Sequence, residues 1–114
     1  MIDKIAAVLR QHVGRESVIT ARGIARRLRL PESYERAVRD AIADEDWEPR
    51  EMLVVAIPGI GFYVASDIAE ADAYHALLCI LRDRAAAKVE KFRRTAAKLG
   101  IRLNPTSNIQ NPKS

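Results

Sequence analysis

The sequence predicts a mostly α-helical fold with one small β-hairpin and a long C-terminal helix, and three observations lead there. Apolar residues recur at helical spacing in three short segments before residue 45; two segments rich in β-branched and aromatic residues follow, separated by Pro58 and glycines; a last periodic stretch then runs from about Ile68 to Gly100. With 114 residues, 48% hydrophobic and 30% charged, the chain has room for one core. Its aromatic share of 5% leaves that core to aliphatic side chains and alanine.

Each element has its own justification. Ile2, Ile5, Ala6, Leu9 and Val13 share a helical face and Gly14 supplies a stop, which predicts a helix over 2–13. Ser17, Val18 and Ile19 read as extended chain. Thr20 is placed to cap a second helix, Ala21 to about Arg29, that buries Ile24, Ala25 and Leu28, and Pro31 ends it by restricting the residue before it. Tyr34, Ala37, Val38, Ala41 and Ile42 mark one face of a third helix, opened by a proline at its first turn and running to about Asp44. Met52 to Ile57 and Gly61 to Ala65 make a hairpin around Pro58, Gly59, Ile60 and Gly61. Trp47 is expected to pack its ring against that hairpin, and the acidic residues Asp44, Glu45, Asp46 and Glu48 to end the third helix and stay wet.

Asp67 can cap the last helix, whose apolar positions are Tyr74, Leu78, Leu81, Ala85, Val89, Phe92, Ala96 and Leu99. At about 1.5 Å per residue it is roughly 45 Å long, more than a body of this size covers. Leu78, Leu81, Ala85, Val89, Phe92 and Leu99 are therefore expected to form a dimerisation surface. Residues 104–114, rich in Asn, Pro and Ser and without periodicity, predict a disordered tail. The expected organisation is a winged-helix domain over 1–66, a long basic helix over 67–103 and the tail over 104–114. Helix, short strand, helix, helix, hairpin, helix is the plan of a winged helix-turn-helix, with the second and third helices as the turn motif.

Two stretches add to that plan: Arg36-Ala37-Val38-Arg39-Asp40-Ala41-Ile42, and Gly61-Phe62-Tyr63-Val64-Ala65-Ser66-Asp67 followed by Leu81-Arg82-Asp83-Arg84-Ala85. Together they resemble small winged-helix proteins of bacteriophages and prophages, over about residues 17–95. The resemblance implies a DNA-binding fold of phage or mobile-element origin, in which these stretches end the recognition helix, form the second wing strand and open a long C-terminal helix. The chain departs from the pattern in two places. The turn over Leu30 to Glu35 is longer than a tight helix-turn-helix turn, and the hairpin tip Ile57-Pro58-Gly59-Ile60-Gly61 carries no Lys or Arg.

Charge is unevenly distributed. Residues 1–42 hold nine Lys/Arg against five Asp/Glu, residues 43–51 one base against five acids, residues 52–81 no base against three acids, and residues 82–114 nine bases against two acids. On the second helix Arg22, Arg26, Arg27 and Arg29 form a cluster that no acid interrupts in sequence, suited to phosphate. On and before the third, Glu32, Ser33, Tyr34, Glu35, Arg36 and Arg39 occupy the N-terminal face that reaches base edges. Arg36 and Arg39 share a face there, with Glu32, Glu35 and Asp40 as alternative ion-pair partners. Gly59 and Gly61 offer only backbone N–H groups from the wing. The DNA-contact candidates are thus Arg22, Arg26, Arg27, Ser33, Tyr34, Arg36, Arg39, Gly59 and Gly61.

The residues point away from other classes. No phosphate loop, nucleophile elbow or histidine pair on one helix face is present, so no enzymatic activity is expected. One cysteine, Cys79, and two distant histidines, His12 and His75, make neither an internal disulfide nor a zinc site, and no cofactor is expected. The N-terminus lacks an apolar signal core and the apolar run from Met52 to Ala65 is too short to span a bilayer, so a cytoplasmic setting is expected, that of the host cell if phage-encoded. Two roles follow: a homodimeric protein that binds duplex DNA, or an interaction module whose helix contacts a copy of itself or a replication or packaging protein.

Overall fold

Ile5, Ala6, Val8 and Leu9 lie on the buried side of α1 (Ile2–Leu9), the first element of a computed structural model that describes residues 1–103. The chain divides into two units, residues 1–75 and residues from Ala76 onward.

In the first unit α1 stops at Leu9, four residues short of the helix expected over 2–13. The backbone of His12 and Gly14 is engaged elsewhere: Val64 donates its N–H to His12 and accepts from Gly14, both at 2.8 Å, and Val13 bridges Val64 instead of extending the helical face. Arg15–Ser17 form a 3₁₀ turn that takes in Ser17, the first residue of the extended run expected over Ser17, Val18 and Ile19, and the strand shrinks to one residue, Ile19, in an antiparallel bridge with Phe62.

Thr20 caps α2 (Ala21–Arg27), its Oγ1 accepting from the Gly23 N–H at 2.9 Å. The helix ends earlier than expected, and not because of Pro31. Arg29 donates to the Arg26 carbonyl and Leu30 to the Ala25 carbonyl, a Schellman turn with Arg29 left-handed at φ 58°. A side chain in that conformation costs roughly 1–2 kcal/mol. Pro31 instead precedes a 3₁₀ turn, Glu32–Tyr34, that leads into α3 (Glu35–Asp44). Val38 and Ile42 are buried on α3 and Ala41 is half-buried, whereas Tyr34 and Ala37, expected on the same face, are exposed, Tyr34 in the turn before the helix and Ala37 within it.

A two-stranded antiparallel sheet follows, β1 (Val54–Ile57) and β2 (Gly61–Val64), paired from Val54–Val64 to Ile57–Gly61. At the tip Ile60 donates to the Ile57 carbonyl, with Pro58 and Gly59 between them and Gly59 at φ 78°. Gly61 has a different reason to be glycine: at φ 142°, a Cβ there would sit 2.5 Å from the Ile19 carbonyl oxygen. One face of the hairpin, with Phe62, Val54, Ala56 and Val64, packs on the core formed by Ile5, Leu9, Ile24, Val38, Ile42 and Met52. Val55 and Tyr63 are buried on the other face. Fully burying an aliphatic side chain contributes about 1.5–3 kcal/mol, so Ile5, Leu9, Ile24 and Val38 carry much of this unit's stability.

The long helix is α4 (Ile68–Lys98). Asp67 Oδ1 accepts from the Glu70 N–H at 2.9 Å, the cap expected from sequence. A second Schellman turn closes α4, with Gly100 at φ 75° and Ile101 donating to the Ala96 carbonyl. The predicted tail over 104–114 lies outside the described residues.

Candidate nucleic-acid interface

Four of the arginines that sequence nominated are held by acids. Arg22 lies 3.5 Å from Glu35, Arg26 3.6 Å from Glu32, and Arg36 4.0 Å from Asp40, while Arg39 donates to Glu35 at 2.8 Å. The acid-free cluster expected on the second helix is thus interrupted in space by Glu32 and Glu35, because α2 packs on α3 and on the turn before it. These pairs are weak. The Arg26 and Arg36 side chains are 69% and 86% exposed, and ion pairs of that kind contribute about 0–1 kcal/mol. An approaching phosphate can exchange with the carboxylate.

Arg27 is held differently, without a carboxylate. Its guanidinium donates to Gln11 Oε1 and lies 3.4 Å from His12 Nε2, while His12 Nδ1 donates to the Ser17 carbonyl at 2.7 Å. Since a carbonyl only accepts, Nδ1 is the donor there, and Nε2 is the ring nitrogen that faces Arg27. Sequence reasoning missed Gln11 and His12 as anchors because it placed both within a longer first helix.

Ser33 and Tyr34 are exposed in the turn before α3. Gly59 is exposed at the hairpin tip, where an added Cβ would meet nothing within 4 Å, whereas Gly61 lies against Ile19. Between α3 and the hairpin runs a groove of about 470 Å³. Its charged lining is Glu35, Arg39 and Asp40, and the hairpin contributes Ala56, Ile57, Pro58, Ile60 and Phe62 without a base.

Two polar centres brace the first unit. Arg50 bonds Glu45 at 3.0 Å and Asp3 at 2.8 Å and lies 6.0 Å from the Trp47 ring centroid. The two carboxylates, Glu45 foremost, raise the Arg50 pKa further, so Glu45 is paired instead of simply wet. Trp47 packs against the main core and donates Nε1–H to the Ile42 carbonyl at 3.2 Å. Glu70 accepts the backbone N–H of Ser66 at 2.8 Å and of Arg15 at 2.9 Å, and these bonds hold its carboxyl below the usual range.

In the second unit, Ala96 is the one buried residue among those described. Leu78, Leu81, Ala85, Val89, Phe92 and Leu99, the expected dimerisation residues, are all exposed, Phe92 by 66%. Arg82, Arg84, Lys88, Lys91, Arg93, Arg94 and Lys98 are exposed around them.

Among the described residues no cluster of His, Cys, Asp or Glu is arranged to hold a metal ion, and no helix is long and apolar enough to cross a membrane. Comparison with protein-family models, curated proteins and solved structures gives no match.

Proposed function

We propose that this chain is a non-enzymatic DNA-binding protein, a phage or mobile-element regulator or replication accessory, that docks a winged helix-turn-helix on duplex DNA. One observation carries it. α2, α3 and their connection bring six arginines, Arg22, Arg26, Arg27, Arg29, Arg36 and Arg39, to one helix pair with four acids, and a hairpin bridged to Ile19 follows in the order of a wing. In this role α3 enters the major groove with Ser33, Tyr34, Arg36 and Arg39 at its leading end, and α2 meets the phosphates. No bond is made or broken; the work is positioning and readout.

The exposed stripe on α4 supports self-association. Leu78 and Leu81 recur eleven residues later as Val89 and Phe92, a spacing that suits nearly straight or slightly right-handed packing of two helices. Seven bases flank the stripe, so like charges face each other in a dimer and added salt should strengthen it.

The test is binding to a random-sequence duplex at about 50 and 200 mM salt. The expected result is a Kd of roughly 1–100 μM at the higher salt, tighter at the lower, and weaker for Arg26→Ala/Arg27→Ala. No binding at either salt would refute DNA binding. It would favour a second role, a protein-interaction module, to which the base-free hairpin wall of the groove beside α3 and the acid-paired arginines point.

A further inference from the structure

Of the six arginines around α2 and α3, Arg27 and Arg29 form no ion pair among the described residues. Both lie at the C-terminal end of α2, and both are exposed. A phosphate that meets Arg22, Arg26, Arg36 or Arg39 meets a charge already partly offset by a neighbouring carboxylate. At Arg27 and Arg29 it meets an uncompensated charge.

Two independent features single out this pair. Gln11 and His12 fix the Arg27 guanidinium without a carboxylate, which restrains the side chain while keeping its full charge available. Arg29 occupies the left-handed position of a Schellman turn, where the equivalent turn at the end of α4 has Gly100. Favourable interaction with the helix dipole accounts for basic residues in a last turn, and Arg26 and Arg27 already supply them. It does not account for a strained side chain one position beyond the cap.

We propose that Arg27 and Arg29 are the principal phosphate contacts of the first unit on DNA, with Gln11 and His12 as positioning residues for Arg27. The assignment rests on the DNA-binding role and names where its electrostatic contact lies. Strain at Arg29 is retained because glycine, the unstrained choice, has no charge to offer.

The experiment measures affinity for a random-sequence duplex across a salt series, together with thermal unfolding, for the full chain and five variants. Arg29→Gly is expected to raise the unfolding temperature and yet weaken binding about fivefold to tenfold, with the salt slope reduced by about one. Arg27→Ala should weaken binding similarly, and Arg29→Lys should retain most of it. His12→Ala should weaken binding about twofold to threefold by releasing Arg27 without changing the net charge of the arginines. Lys4→Ala removes the same charge from an exposed site on α1 and should change binding less than about twofold. Arg29→Gly and Arg27→Ala binding as tightly as Lys4→Ala would overturn the assignment while leaving DNA binding intact. Absence of binding by the unaltered chain would overturn both.

Discussion

The two units use the same kinds of residue in opposite ways. In residues 1–75 apolar side chains are mostly enclosed and half of the bases are paired: ten bases stand against thirteen acids, and five of them, Arg22, Arg26, Arg36, Arg39 and Arg50, each meet a carboxylate. From residue 76 on, nine bases stand against two acids, and Leu78, Leu81, Val89 and Phe92 remain exposed. The first unit is stabilised by its own core. The second, over its described residues, is a helix that leaves an apolar stripe exposed, so stability and the proposed self-association should respond to separate sets of substitutions.

The sharpest way to break that separation is to truncate one apolar side chain in each unit. Ile24→Ala, in the enclosed core, should lower unfolding stability by about 2–5 kcal/mol in denaturant titration. Phe92→Ala should change it by less than about 0.5 kcal/mol while shifting sedimentation toward monomer. If Phe92→Ala destabilised the first unit as much as Ile24→Ala, the separation would be wrong.

Smaller effects sharpen the picture of the hairpin. Gly61→Ala places a Cβ against the Ile19 carbonyl as well as straining φ, and should cost about 1–3 kcal/mol of unfolding stability. Gly59→Ala meets nothing within 4 Å and should cost about 1 kcal/mol from its positive φ alone. Equal losses would show that Ile19 does not press on the hairpin as described.

Acid should loosen the start of α4 only once pH falls below the ordinary carboxylate range. Glu70 has a folded pKa below its unfolded value, so its contribution is present above the ordinary carboxylate pKa of about 4 and is lost as pH falls through the lower folded value. Hydrogen exchange at Ser66 and Arg15, the two backbone N–H groups it accepts, should rise over that acid range relative to other amides in the unit, and Glu70→Gln should flatten the difference.

Much of this was legible in the sequence because it depends on local chemistry. Thr20 and Asp67 cap their helices as their residue types predict, Pro58 and Gly59 turn the hairpin, and Ile24, Val38 and Ile42 fall on buried faces set by helical periodicity. What sequence could not show depends on contacts between distant segments. The first helix stops early because His12 and Gly14 pair with Val64, about fifty residues away in the chain. The extended segment before Thr20 is reduced to a single bridge for the same reason: of Ser17, Val18 and Ile19, Ile19 alone pairs its backbone with the hairpin.

The candidate site follows that division. Its arginines can be found by charge and helical spacing, but which of them face acids could not, since Glu32 and Glu35 reach α2 only once α3 packs against it. Arg29 gives no signal in sequence either. An arginine after a helix reads as a favourable charge, and only its φ of 58° shows that a glycine would fit the backbone better.

The most direct test of DNA binding by the first unit is a titration of the ¹⁵N-labelled full chain with duplex, followed by amide chemical shifts at low salt. The largest changes are expected over residues 20–39, with side-chain resonances of Arg27 and Arg29 among them. Changes confined to residues 82–99, or none at all, would contradict DNA docking through α2 and α3.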